Sequence, residues 1–136
     1  MIRPIMKSET ILAPPGDEAD AFDLAVAQDL LDTLAAHADT CVGMAANMIG
    51  VRKRIIVFVD GGERRAMLNP QIIQAQGPYQ AEEGCLSLVG KRPANRYKCI
   101  KVRYLGMDLR EHTESFSGWT AQIVQHEVDH CNGIVI

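Results

Sequence analysis

Apolar residues recur every four positions at Phe22, Val26, Leu30 and Leu34, with Ala25 and Leu31 widening the stripe. That spacing predicts an amphipathic helix with one buried face. Asp17 or Asp20 can cap its N-terminus through a side-chain oxygen. The helix is expected to end near residues 37–39, which puts His37 at a C-terminal boundary where a cation is favoured. Ahead of it, Pro4, Pro14, Pro15 and Gly16 read as an extended arm and loop. Residues 55–59 are nearly all apolar and suit a buried strand, followed by a turn at Asp60-Gly61-Gly62. Residues 66–69 predict a returning strand, interrupted by Pro70 and continued over 71–76 after a bend. Gly77-Pro78 predicts a second turn, and residues 90–95 a loop. Ile100, Val102 and Tyr104 alternate with Lys101 and Arg103, the pattern of a half-buried strand. A turn over 106–111 and a short strand over 113–116 follow. Ser117 can cap a last helix from about 118 to 131, with Trp119, Ile123 and Val124 as its apolar side and Gly133 as its stop signal. Residues 134–136 suit a short strand.

Composition narrows the setting. A chain of 136 residues, 47% hydrophobic, can bury its own core, so residues 1–136 are expected to form one domain. The net charge of -3 gives no electrostatic footprint for nucleic acid or an anionic surface. Arg3 is soon followed by Pro4 rather than by a long apolar run, so no secretion signal is expected. No stretch has the length of a transmembrane helix. These features predict a cytoplasmic protein whose four cysteines, at 41, 85, 99 and 131, are reduced. The small residues of Gly43-Met44-Ala45-Ala46-Asn47-Met48-Ile49-Gly50 allow close passage of another backbone. The segment lacks the Gly-Lys-Ser/Thr ending of a phosphate loop.

The chemistry concentrates in His126-Glu127-Val128-Asp129-His130. On a helix, positions i and i+4 share a face, so both imidazoles can point at one metal ion, with Glu127 in reach of the proton of a water beside it. The plainer reading is two ordinary helical histidines and a salt-bridging glutamate. A catalytic metal site needs a third protein ligand. Cys131 lies roughly 100° around the helix from His130 and points elsewhere. The ligand must therefore come from upstream, where Cys85, beside Gly84 and between two predicted strands, is a candidate. Cys41 and Cys99 are the alternatives, although both sit in contexts that suit packing.

Glu83-Gly84-Cys85-Leu86-Ser87 and Gln125-His126-Glu127-Val128-Asp129-His130, with Gly133 after them, resemble two signatures of the peptide deformylases. Residues 42–50 resemble the third, in the same order and separation, so the resemblance spans nearly the whole chain. It implies an α+β fold, with antiparallel β-sheets around a central metal-binding helix. It also implies Cys85, His126 and His130 as ligands of Fe(II), with Zn(II), Ni(II) or Co(II) as possible substitutes. The substrate would be an N-formylmethionyl peptide, on ribosome-associated nascent chains, with no direct nucleic-acid or membrane partner. Water would attack the formyl carbon. Glu127 would take its proton and pass it to the leaving amine, and the Leu86 backbone N–H would help hold the developing oxyanion. Glu83 and Arg96 would form an ion pair near the site, joined by Asp129, and Arg92 would stand near the substrate entrance. Val42, Met44 and Ile49 could wall a methionine pocket.

Two positions depart from that pattern. Cys41 stands where the family has Gly, and Met48 where it has Gln. Methionine has no N–H donor, and loss of one oxyanion donor costs roughly 10²–10³ in rate. Asn47 carries an amide one residue away. Only three residues follow Gly133, so no long ribosome-binding tail is expected. Hydrolysis of another N-acyl amide, or peptide binding with little turnover, are the competing readings.

Overall fold

The structure is a computed structural model that describes residues 1–7, 12, 14–85 and 88–134. The four-residue apolar period forms helix α1, Leu24–Ala36, which begins later than its first apolar residue. Asp20 caps a 3₁₀ turn, Ala21–Asp23, instead. Its carboxylate accepts from the Phe22 N–H at 2.9 Å, and the Asp23 carboxylate accepts from the Asp20 N–H at 2.9 Å. This reciprocal box satisfies two otherwise orphaned donors. The tighter turn rotates Phe22 off the 3.6-residue stripe, so the expectation of a buried Phe22 fails: it is 93% exposed. Leu30 and Leu34 are fully buried, and His37 is the C-cap, as its position predicts.

Five antiparallel strands form one sheet in chain order: β1 Gly43–Ala45, β2 Ile55–Asp60, β3 Glu63–Cys85, β4 Leu88–Leu105 and β5 Glu111–Ser117. Two sequence expectations are corrected here. Gly77-Pro78 is not a turn: Gly77 adopts φ 74°, which glycine allows without strain, and β3 stays paired, with Pro78 opposite Tyr97. Residues 90–95 are not a loop, because Lys91 pairs with Gly84 and Asn95 with Gln80. Pro93 is tolerated in this stretch since β5 reaches only Cys99–Leu105, which leaves residue 93 on a sheet edge. The bend expected at Pro70 is present as a register shift between Leu68 and Gln71.

Strand β2 explains its nearly continuous apolar run. Successive side chains point to opposite faces. Ile55 and Val57 join Leu12, Leu30 and Leu34 in one core, on the α1 side. Ile56 and Phe58 join Ile123, Val124 and Val128 of helix α2, Gly118–Cys131, in the other. The sheet is thus covered on both faces, in an α+β arrangement. Ser117 occupies the α2 N-cap in an extended conformation, without a side-chain cap bond. Trp119 is not part of the apolar side. It is 61% exposed because the first turn stands at the surface, while Ile123 and Val124, a turn later, are buried. At the other end, the Gly133 N–H bonds the His130 carbonyl at 3.0 Å and the Ile134 N–H bonds that of Asp129 at 2.9 Å. With Gly133 at φ 74°, this is the stop that the glycine predicts. Among the described residues, no helix is long and apolar enough to cross a membrane.

Candidate metal centre

Helix α2 carries Gln122, His126 and His130 four residues apart, in one column. Both histidines are buried, with their Nε2 atoms 3.2 Å apart. Cys85 ends β3 and pairs with Leu88 of β4. One ligand atom each from Cys85, His126 and His130 lies within 4.8 Å of the others. The alternatives lie outside this cluster, although Cys41 shares the cavity wall with Cys85. Cys99 is exposed on the sheet, between Gln76 and Ser117. Cys131 is buried in the core. The Cys41 thiol donates to the Gly43 carbonyl at 2.9 Å.

The chemistry of this cluster suits a cation. Burial, then the neighbouring His126 and Arg96, push the His130 pKa down to about 3, so its imidazole is neutral and able to ligate. Burial also opposes charge on His126. The Cys85 hydrogen bond, Glu127 and Glu83 outweigh it and raise the pKa to about 10, so positive charge is favoured at this point. One sulfur and two imidazole nitrogens form a donor set for a borderline transition-metal ion.

Behind His126 lies the ion-pair network that the resemblance implies. Glu83 Oε1 stands 2.8 Å from His126 Nδ1. Arg96 donates to Glu83 through Nε at 2.9 Å and Nη2 at 2.6 Å, and to Asp129 through Nη1 at 2.7 Å. Burial raises the Glu83 pKa, but the bonds from His126, Arg96 and Gln122 prevail and bring it to about 2. The carboxylate therefore stays ionised and accepts from His126 Nδ1, which turns Nε2, the nitrogen that would give up its proton when a cation binds, toward His130 Nε2. Arg92 lies across the β3–β4 ladder from Glu83.

Glu127 is buried, and its Oε1 has no hydrogen-bond partner among the described residues. Burial raises its pKa to about 7 against the opposing pull of His126. Its place is set by backbone. A Cβ on Gly43 would lie 2.8 Å from Glu127 Oε2 and 2.8 Å from Ile123 Cγ2, so only glycine lets β1 pass there.

A cavity of about 480 Å³ opens over these groups, with Val42, Met48, Trp119, Gln122 and Ile123 in its wall. Of the three residues expected to wall a methionine pocket, Val42 lines the cavity, whereas Met44 and Ile49 turn into the core beside α1. Met48 lines the cavity, and its sulfur lies 3.5 Å from the Ala45 nitrogen. Asn47 does not replace the missing donor. Its amide nitrogen donates to the Leu12 carbonyl at 3.1 Å and to the His130 carbonyl at 3.0 Å. The expectations for Leu86, Val135 and Ile136 lie outside the described residues.

Sequence reasoning gave no role to Gln122 or Gln125. Gln125 accepts from the Tyr97 N–H at 2.8 Å and donates to the Tyr97 carbonyl at 2.8 Å, which bolts α2 to β4. A signal was present: two glutamines, four and one residues before His126, on a helix that otherwise faces the core.

A buried carboxyl beside a metal-capable cluster that opens into a cavity is the equipment of a metal-dependent hydrolase acting on a carbonyl. Comparison with known proteins returns that class. The family model for polypeptide deformylase matches residues 2–136. A peptide deformylase of Clostridium beijerinckii is 48% identical over 136 residues, covering all of both chains. The actinonin-bound class I type b peptide deformylase from Acinetobacter baumannii superposes with a TM-score of 0.88 at 31% identity, over 99% of this chain and 95% of that one. The peptide deformylase from Thermotoga maritima gives 0.89 at 28% identity, over 99% and 96%. The chain belongs to the peptide deformylase family, and its activity is that of a metal-dependent, deformylase-type hydrolase.

Proposed function

We propose that residues 1–136 act as one catalytic domain on N-formylmethionyl peptides of newly made proteins, with Cys85, His126 and His130 as ligands of one divalent ion and Glu127 as the acid/base. The carrying observation is Glu127, buried and with Oε1 unpartnered among the described residues, beside the three converging ligand atoms. Fe(II) is the native ion in this reading, and Zn(II), Ni(II) or Co(II) can substitute. When bound, the ion supplies a Lewis acid for the formyl oxygen and makes nearby water more acidic.

The chain's own groups do the rest. Glu127 accepts a proton as the water oxygen adds to the formyl carbon. The Leu86 backbone N–H donates to the oxygen that gains charge. The carbon–nitrogen bond then breaks, and Glu127 passes its proton to the leaving nitrogen. Formate and a free α-amine are the products. Val42, Met48 and Ile123 give the methionine side chain an apolar wall. This substrate class places the protein in the cytoplasm, on ribosome-associated nascent chains, with no direct nucleic-acid or membrane contact. The net charge of -3 agrees.

Formate release from a formyl-methionyl peptide, by Fe(II)-loaded protein without oxygen, tests the reading. A loaded sample that releases none sinks it. Met48 favours a second reading, a slow enzyme or one for another N-acyl amide, because the cavity wall lacks a donor there. Met48→Gln then raises kcat, by up to roughly 10²–10³ if the donor is fully restored. An unchanged kcat shows that Met48 does not limit turnover.

A further inference from the structure

Glu83 is held from two directions. From the sheet, Arg96 grips it through Nε and Nη2. From helix α2, His126 Nδ1 meets Oε1 at 2.8 Å, and Gln122 Nε2 donates to Oε2 at 2.9 Å. Gln122 and His126 are one helical turn apart, so the Glu83 carboxylate bridges that turn with one oxygen on each residue. Two contacts on one helix fix its rotation, and its rotation fixes the direction of the bond to the imidazole. Arg96 fixes the plane of the carboxylate, and Gln122 ties that plane to the helix one turn before His126. Glu83 is ionised and can only accept, so the amide must turn Nε2 toward it. The Gln122 Oε1 that this leaves outward receives the Tyr79 hydroxyl at 3.3 Å. Tyr79 stands opposite Arg96 in the β3–β4 ladder, so the chain of bonds returns to the strand pair where it began.

We propose that Gln122 is a positioning residue for His126, acting through Glu83, and that Tyr79 anchors Gln122 in the orientation this needs. The inference rests on the reading that His126 ligates the ion. Gln122 also lines the cavity, so its carbon stem meets the substrate side while its amide serves the ligand side.

Gln122→Met keeps the length and the wall and removes the donor. Zn(II) affinity, measured by competition with a chelator, is expected to fall about tenfold, the low end for a partner that orients a metal ligand. kcat falls with KM unchanged, and the melting temperature of the metal-free protein stays near that of the parent. Tyr79→Phe weakens Zn(II) binding about threefold, as loss of one weak hydrogen bond would. The double variant binds Zn(II) no more weakly than Gln122→Met alone. Parental Zn(II) affinity in Gln122→Met overturns the proposal. So do independent, multiplying effects in the double variant, or a lower melting temperature with Zn(II) affinity intact. Should Gln122→Met fail to fold, Tyr79→Phe with unchanged Zn(II) affinity overturns it alone. A parent protein that binds no Zn(II), Fe(II) or Ni(II) instead defeats the metal reading itself.

Discussion

Arg96 and Arg65 head two similar clusters on one sheet. Arg96 takes two carboxylates, Glu83 and Asp129. Arg65 takes Asp60 and Glu114, donates to the Tyr104 hydroxyl at 3.0 Å, and lies 5.5 Å above the Phe58 ring. Their surroundings differ: the Arg96 side chain is 3% exposed and that of Arg65 23%. Around Arg65, water can replace any partner that lets go, so the cluster clips β2, β3, β4 and β5 together at modest gain. Around the Arg96–Glu83 pair, 3% and 7% exposed, little water can, and each of the two must keep its partner or become an isolated buried charge, whereas Asp129, 22% exposed, meets solvent. Burial thus turns the same residue types from a clip into a jig, and the imidazole it holds is a proposed ligand.

The largest effect should come from breaking the jig. Arg96→Met leaves Glu83 and Asp129 without their cation and should cost about 3–5 kcal/mol, read from urea unfolding. If Arg65→Met costs as much, the contrast between the clusters is wrong. Glu127 supplies the next test, since it is buried near the same network without a direct ion pair among the described residues. Glu127→Gln should lower kcat about 10²–10⁴-fold and leave Zn(II) binding in place. The pH dependence has a definite sign. The folded metal-free protein raises the Glu127 pKa from 4.5 to about 7, so it binds that proton more tightly than the unfolded chain does. The Glu127 contribution is complete below pH 4.5 and is lost as pH rises through about 7. Over that interval the metal-free parent should lose urea resistance relative to Glu127→Gln, and parallel curves would contradict the shift. The smallest effect belongs to Arg65→Met, at about 1 kcal/mol or less and shrinking in 1 M salt. A salt-independent loss would mean that its rings, not its carboxylates, hold Arg65.

What the sequence made legible follows from the range of the forces involved. The His126 and His130 pair is a local fact of helix geometry, and the β2 run reports burial on both faces. Asp20 and Gly133 act within a few residues of themselves, and both signals were readable. Phe22 misled because a capped 3₁₀ turn and a helix share apolar residues while differing in rotation. Gly77 and Pro78 misled because pairing with β4 carries the strand through residues that would end an isolated one. The choice of Cys85 over Cys41 and Cys99 needed the resemblance or the structure, since spacing alone left all three open. The bridge from Tyr79 through Gln122 to Glu83 spans separations of 43 and 39 residues, and no periodicity encodes such a meeting.

The long β3–β4 hairpin sets an order of events in time. Its strands are sequence neighbours, so they can zip together with little loop to close, and Cys85 ends β3, paired with Leu88. The histidines arrive only when α2 docks, across the 43 residues that separate Glu83 from His126. An ion that needs all three ligands would therefore engage only once α2 has docked on the hairpin. It would act as a latch on the finished molecule, and raising the ion concentration is expected to slow unfolding, read from unfolding rates in urea.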